Sequence, residues 1–152
     1  MKVQNQSLRS LYGATAIAGI IGAVTLDLKL ILWNHVPVPG LWQGIASQAV
    51  GPVAQSSQVY ALLGAAMHLA ISLFWAFAYL FVWSRVNSLK NWIVGGLVWG
   101  IVVMVGMLCL LHFKSQMPWP AFNSVLLDSA IGHTVFFGLP VAWYIARSAR
   151  AR

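Results

Sequence analysis

Four long apolar stretches restrict what this chain can fold into. They run over about 11–33, 59–83, 92–113 and 124–146. A helix that crosses a bilayer needs roughly 20 mostly apolar residues, and each stretch meets that length. The composition is 60% hydrophobic and 7% charged, whereas a soluble domain carries about 25% charged residues. The sequence therefore predicts an all-α integral membrane protein, a single domain over 1–152 in which four transmembrane helices form a compact bundle.

The basic residues lie at the ends of these stretches rather than on one solvated face. Cytoplasmic loops of membrane proteins retain Lys and Arg. With both termini in the cytoplasm, the opposite side holds only Lys114, and the cytoplasmic side holds Lys2, Arg9, Arg85, Lys90, Arg147, Arg150 and Arg152. We therefore predict a multi-pass protein of a bacterial inner membrane that contacts the lipid bilayer and has no nucleic-acid partner.

The segment between the first two spans, 34–58, carries no formal charge and contains three prolines. Apolar residues between these prolines predict a short interfacial helix at about 41–50. Two roles are open for it: a lid over an outward-facing pocket, or an ordered connection between spans.

Small residues predict the surfaces on which the helices pack. Helices in lipid associate closely where glycine lets their backbones approach. The first span offers Gly19 and Gly22, and the third offers Gly96 and Gly100. These surfaces serve either the inside of the bundle or the pairing of protomers in a homo-oligomer.

Ionisable residues lie inside the spans, where they are costly and commonly functional. Counted from the outer boundary, Asp128 is roughly 6 Å deep, Asp27 roughly 9 Å, and His68 and His133 each roughly 13 Å. All four therefore fall in the outer half. Lys29 is about 200° around the helix from Asp27, so Asp27 is expected to find its partner on another helix. The Lys29 stem is long enough to carry its ammonium to the interface.

The residues that share faces with these groups complete a candidate ligand- or ion-binding set: His68, His133, Asp128, Asp27, Ser72, Ser129, Tyr79 and Lys29. One interpretation is a buried hydrogen-bond network that fixes helix register. A second is a polar cavity, open to the periplasmic side, that binds or passes a small ligand, proton or metal ion, with the two histidines at its floor and the two acids nearer its mouth.

A third interpretation is a redox site that holds haem b, a quinone or a transition metal. The candidate metal ligands are His68, His133, His112 and Asp128. No short metal-binding spacing and no nucleophile elbow occurs, so no catalytic residue is predicted and an enzyme is disfavoured. A further alternative is an accessory subunit of a larger membrane complex, in which the glycine faces and tryptophans contact partners.

Several of these residues occur in an order that resembles a known family. His68 begins the stretch HLAISLFWAFAYLFVW, and a short basic turn ending in Lys90, a glycine-rich third span, the Pro-Trp-Pro segment at 118–120 and the Gly132-His133 pair follow. Together with Lys29 and the HVPVPG segment, this order resembles the YagU-like family of small bacterial inner-membrane proteins. The resemblance implies a four-span protein and singles out His68, Tyr79 and His133, but it implies no reaction.

Overall fold

A computed structural model of the protein describes residues 2–115 and 123–151. Almost all of this part of the chain is helical. The α-helices are α1 (Lys2–Leu32), α2 (Val38–Val50), α3 (Val59–Trp83), α4 (Trp92–Ser115), α5 (Ser124–Ile131) and α6 (Leu139–Arg150). A π-helical segment, Gly132–Gly138, joins α5 to α6, so these three form one continuous helix that is called the last span below. Short 3₁₀ turns at Pro52–Ser56 and Asn87–Lys90 complete the connections.

Four helices are long and apolar enough to cross a membrane: Ser10–Leu32, Val59–Trp83, Trp92–Lys114 and Ser124–Arg150. The four predicted spans and the all-α class are therefore confirmed, with the last span reaching further towards the carboxyl terminus. Their outward-facing side chains are apolar and exposed, among them Leu62, Phe74 and Val105. Such an exposed surface is suited to lipid rather than to water.

The long helices pack side by side in the bundle. α1 packs against α3 on one side and against the last span on the other, and α4 packs along the last span. Large aromatic rings fill the space between α3 and α4. The ring of Trp99 lies 5.9 Å from that of Trp75 and 5.5 Å from that of Tyr79, and its indole N–H donates to the carbonyl oxygen of Trp75 at 3.2 Å. The helices therefore close into a four-membered bundle.

The predicted glycine surfaces pack the inside of this bundle. A Cβ atom added to Gly96 would meet the backbone of Gly138 and Leu139 in the last span, and one added to Gly100 would meet the backbone of His133 and Thr134. On α1, Gly19 lies against α3 and Gly22 against Phe137 of the last span. These glycines are buried in helix contacts within one chain, so they do not form a free surface for a second protomer.

α2 is the predicted short helix, and it begins three residues earlier than expected. Val38 follows Pro37, and Pro39 lies in the first turn, where the missing N–H of proline is not needed. Leu41 and Ala46 are buried, and α2 packs along the start of α3. These contacts make α2 an ordered part of the fold. The end of the bundle that carries α2 is called the α2 end, and the other is called the opposite end.

Candidate functional site

Asp27 and His68 face each other between α1 and α3. Oδ1 of Asp27 lies 2.9 Å from Nδ1 of His68, and the side chains are 16% and 13% exposed. The approach is close but oblique, so neither atom makes an aligned hydrogen bond with the described residues. The other oxygen, Oδ2, accepts a hydrogen bond from the indole N–H of Trp42 in α2 at 3.3 Å. One carboxylate therefore connects three helices, as expected from its position facing away from Lys29.

α2 reaches this carboxylate because the start of α3 offers no side chain at the contact. A Cβ atom added to Gly64 would overlap the carbonyl group of Trp42. Glycine at this position therefore lets the backbones of α2 and α3 touch. Gly64 and His68 are four residues apart and share one face of α3, so the same face that receives α2 presents the imidazole to Asp27.

Lys29 forms an ion pair with Asp128 on the other side of α1. The side chain of Lys29 is 2% exposed and that of Asp128 is 32% exposed. The amide of Asn34 also donates to Oδ2 of Asp128, at 3.2 Å. The expectation that Lys29 extends to the interface is therefore wrong. The ammonium points into the bundle because a carboxylate one helix away offers it a partner there.

A glycine in the last span lies beside this lysine. A Cβ atom added to Gly132 would lie 3.2 Å from Leu26 and 3.9 Å from Nζ of Lys29. The start of the last span is fixed by Asn123, whose side chain accepts hydrogen bonds from the N–H groups of Val125 and Leu126, both at 3.1 Å. The cap therefore fixes the first turn of the helix that carries Asp128.

His133 belongs to the same end of the bundle. Its Nδ1 is 2.8 Å from the carbonyl oxygen of Ser129 and 3.4 Å from the hydroxyl oxygen of the same residue. The preceding residue, Gly132, lies beside Lys29, since a Cβ atom added to it would be 3.9 Å from Nζ. Five ionisable side chains therefore gather at the α2 end, and they are called the row below: Asp27, His68, His133, Lys29 and Asp128.

The backbone that carries His133 is π-helical, a form that is rare and frequently found at functional sites. Its cause is Pro140, which has no N–H for the carbonyl oxygen of Phe136 and whose ring crowds the preceding turn. The N–H of Leu139 accordingly reaches the carbonyl oxygen of Thr134, five residues back. The hydroxyl of Thr25 in α1 contacts the carbonyl oxygen of Phe136. Pro140 is the feature of the sequence from which this distortion could have been predicted.

Two cavities adjoin Lys29 in the row. One of about 140 Å³ is lined by the Lys29–Asp128 pair together with Trp33, Ser124, Leu127, Ile131 and Phe136, and one of about 240 Å³ is lined by Lys29 with Leu28, Leu32, Trp33 and Phe136. A further cavity, of about 360 Å³, lies beside Trp42 between α2 and the start of α3. Since a water molecule occupies about 30 Å³ of the liquid, the smallest cavity has room for a few waters beside the ion pair.

The remaining candidate residues lie apart from the row or at its edge. Ser72 is buried one turn beyond His68 on α3. Tyr79 is about 16 Å further along that helix than His68, and its hydroxyl donates to the carbonyl oxygen of Leu89 at 3.1 Å. His112 lies near the end of α4, with its ring 5.4 Å from that of Phe113. Among the described residues, no three His, Cys, Asp or Glu side chains gather in a geometry that could hold a metal ion.

Comparisons of the chain with protein-family models, with curated proteins and with solved structures find no match. The resemblance to the YagU-like family therefore stays a prediction. Its Pro-Trp-Pro segment at 118–120 lies outside the described residues.

Proposed function

We propose that this membrane protein binds protons at the α2 end, and with them a small polar ligand or ion, through the row from Asp27 to Asp128. The observation that carries the proposal is the Asp27–His68 contact, in which two mostly buried ionisable atoms lie 2.9 Å apart. Histidine gains and loses a proton near neutral pH more readily than other side chains. Asp27 places a carboxylate oxygen in contact with the ring, so the pair has the atoms to hold a proton inside the bundle.

Binding is favoured over passage because the row occupies only one half of the bundle. All five ionisable residues lie near the α2 end. The half of the bundle nearer the opposite end is called the opposite half. It is filled by buried apolar and aromatic side chains, including Tyr79, Trp99, Phe137, Val141 and Ile145. Among the described span residues, this half offers no histidine or carboxylate side chain that could carry a proton onward. A proton that enters from the α2 end therefore leaves by the same end.

Trp42 gives this site a way to affect the rest of the protein. Its indole N–H donates to Asp27, next to the backbone contact between α2 and α3 at Gly64. Protonation of the Asp27–His68 pair weakens the charge that attracts the indole. Proton binding is thereby linked to the docking of α2, next to the 360 Å³ cavity that Trp42 lines.

The emission of Trp42 tests the proposal. The difference between the tryptophan emission of the wild type and of Trp42→Phe isolates this residue, and it is followed from about pH 8 to about pH 5. We expect the Trp42 component to change with pH, and the change to disappear in Asp27→Asn and in His68→Gln. His35→Asn is the matched control, because His35 is exposed outside the spans and has a positive φ of 54°, which asparagine tolerates. A flat Trp42 component in the wild type would contradict the proposal.

Proton flux into liposomes separates binding from passage. Protein in liposomes under a potassium-driven membrane potential is expected to admit no more protons than empty liposomes. A flux that Asp27→Asn abolishes would instead support passage through the bundle.

A redox site between His68 and His133 is the second candidate, favoured by the orientation of both rings. Histidines that hold a metal commonly direct their other nitrogen to a carboxylate or a backbone carbonyl. Nδ1 of His68 faces Asp27, and Nδ1 of His133 faces the carbonyl oxygen of Ser129. Both Nε2 atoms are then left for a haem iron, a metal or a quinone oxygen.

An absorption spectrum of the gently purified protein, with elemental analysis of wild type, His68→Ala and His133→Ala, tests this candidate. No Soret band and equal, near-zero metal in all three would contradict a haem or metal site.

We further propose that the protein resides in a bacterial inner membrane with both termini in the cytoplasm. The support is the charge distribution: Arg85, Lys90, Arg147 and Arg150 all belong to the opposite end of the bundle. A reporter that is active only in the cytoplasm is expected to be active when it is fused to the carboxyl terminus.

The alternative that the protein is an accessory subunit of a larger membrane complex has its own test. Retention of a stoichiometric partner after mild-detergent extraction would favour an accessory subunit.

A further inference from the structure

A groove at the opposite end of the bundle carries two arginines that pair with no carboxylate side chain among the described residues. Trp92 opens α4, and Trp143, Ala146, Arg147 and Arg150 lie on α6; together they line a cavity of about 200 Å³. Positions 143, 147 and 150 are four and three residues apart, so they form one stripe on the helix. Trp92 faces this stripe from α4, so the groove lies between two helices.

The guanidinium of Arg147 is oriented by its neighbour. It lies 5.4 Å from the ring centre of Trp143, within the range of a cation–π contact. This contact leaves the N–H groups at the edge of the guanidinium available to an anion. Arg150 brings a second charge to the same groove one turn later.

No side-chain carboxylate of the chain can neutralise these two charges. The sequence contains two acidic residues, and both Asp27 and Asp128 are engaged at the α2 end. The groove therefore combines uncompensated positive charge with two indole rings. It also lies at a membrane boundary, because Trp92 is the first residue of its span and Arg150 the last of its span. Phosphate oxygens of lipid headgroups occupy this depth, and indole rings favour it.

We propose that this groove is a binding site for one anionic phospholipid. The two guanidinium groups hold the phosphodiester through charge-assisted hydrogen bonds, and the indoles of Trp92 and Trp143 flank the glycerol region. The occupant is a lipid rather than a free anion, because the groove opens between two helices whose outward faces are apolar and contact acyl chains. Ile93 and Leu97 supply such a face on α4.

Native mass spectrometry of the detergent-solubilised protein tests this site, with phosphatidylglycerol and phosphatidylcholine as probes. We expect the wild type to retain phosphatidylglycerol in preference to phosphatidylcholine. Since each arginine near an anionic surface contributes a factor of about five, Arg147→Gln/Arg150→Gln is expected to weaken retention about twentyfold or more. Arg147→Lys/Arg150→Lys keeps the charge without the guanidinium fork and is expected to lose only part of the affinity.

The matched control is Arg85→Gln/Lys90→Gln, which removes two charges from the same end. Arg85 donates to the carbonyl oxygen of Phe81 at 2.7 Å, and Lys90 donates to Asn87 at 2.7 Å. We expect this control to change retention by less than about twofold, because charges outside the groove are screened. An equal loss in the control would overturn the site in favour of diffuse attraction.

Two further results would also overturn the proposal. Equal retention of the two lipids by the wild type would show that the groove does not select an anionic headgroup. Displacement of phosphatidylglycerol by inorganic phosphate at equal concentration would show a free-anion site. Circular dichroism of each variant verifies that the helices are intact, so that a loss of lipid reports the groove.

Discussion

The α2 end and the opposite half of the bundle are built from the same four helices, yet they bury different chemistry. Near the α2 end, α1 meets its neighbours through Asp27 and Lys29, each paired with a residue on another helix. In the opposite half the helices meet through glycine backbones and through the rings of Trp99, Tyr79 and Phe137. Close packing alone can hold four helices together in lipid. The ionisable row therefore adds a property that the packing of this bundle does not require.

The largest effect is expected from filling the glycine contact between α4 and the last span. In Gly138→Ala, the new methyl group would meet the carbonyl oxygen of Gly96 and the backbone of Gly100. Because these are backbone atoms, the helices must separate, and we expect the free energy of unfolding to fall by about 3 kcal/mol. Denaturant titration in mild detergent measures the change.

Gly13→Ala is the matched control, because a Cβ atom there meets nothing within 4 Å. Its free energy of unfolding should equal or exceed that of the wild type. Equal losses in the two variants would contradict the role of close backbone contact in the opposite half.

A smaller effect is expected from breaking the Lys29–Asp128 pair, and it should differ between the partners. Asp128→Asn leaves the buried ammonium of Lys29 without a counter-charge, and we expect a loss of about 2 kcal/mol, below the range for a fully buried pair because Asp128 is partly exposed. Lys29→Met leaves a carboxylate beside a cavity that water can enter, so about 1 kcal/mol should be lost.

The double variant Lys29→Met/Asp128→Asn removes both charges and should be more stable than Asp128→Asn alone. Additive losses in the double variant would show that the two residues do not depend on each other. That result would break the distinction between a paired α2 end and a packed opposite half.

In the opposite half, Tyr79→Phe tests the polar contact that joins α3 to the turn before α4. The variant keeps the ring, which packs on Trp99, but leaves the carbonyl oxygen of Leu89 without its donor. We expect a loss of about 1 kcal/mol in the free energy of unfolding and no change in the Trp42 emission. A change in that emission would show that the two halves are coupled.

The smallest effect concerns the junction of the halves, where Thr25 contacts the carbonyl oxygen of Phe136. Thr25→Val removes the hydroxyl at nearly constant volume and should lower the free energy of unfolding by about 0.6 kcal/mol. In a Pro140→Ala background the helix can supply its own N–H to that carbonyl group, so the same substitution should have less effect. Equal effects in both backgrounds would contradict the role assigned to Pro140.

Features of the fold that depend on residues close together in the chain follow from the sequence, whereas contacts between helices do not. The spans follow from apolar length, which is local, and the position of α2 follows from the prolines around it. Helical angles also showed that Asp27 and Lys29 face different neighbours. They did not show which neighbours, because the partner of Lys29 depends on how the last span is rotated in the bundle, and that rotation is not a local property of the sequence.

The π-helical segment shows a second limit of local patterns. A proline in an apolar span is compatible with a kink, a π-helical turn or a break, and the choice depends on a donor from another helix. Here Thr25 lies opposite the carbonyl group that Pro140 leaves unpaired. The lipid groove is similar: the charges of Arg147 and Arg150 predicted topology, whereas their site depends on Trp92 from a different helix.

The titration of His68 tests the central claim most directly. Nuclear magnetic resonance of the protein labelled at its histidine rings follows each imidazole as the pH falls, with His68→Gln identifying the signal. We predict that His68 takes up a proton reversibly, and that its titration curve changes in Asp27→Asn but much less in Asp128→Asn. A His68 signal that does not titrate, or a curve that Asp27→Asn leaves unchanged, would contradict the account.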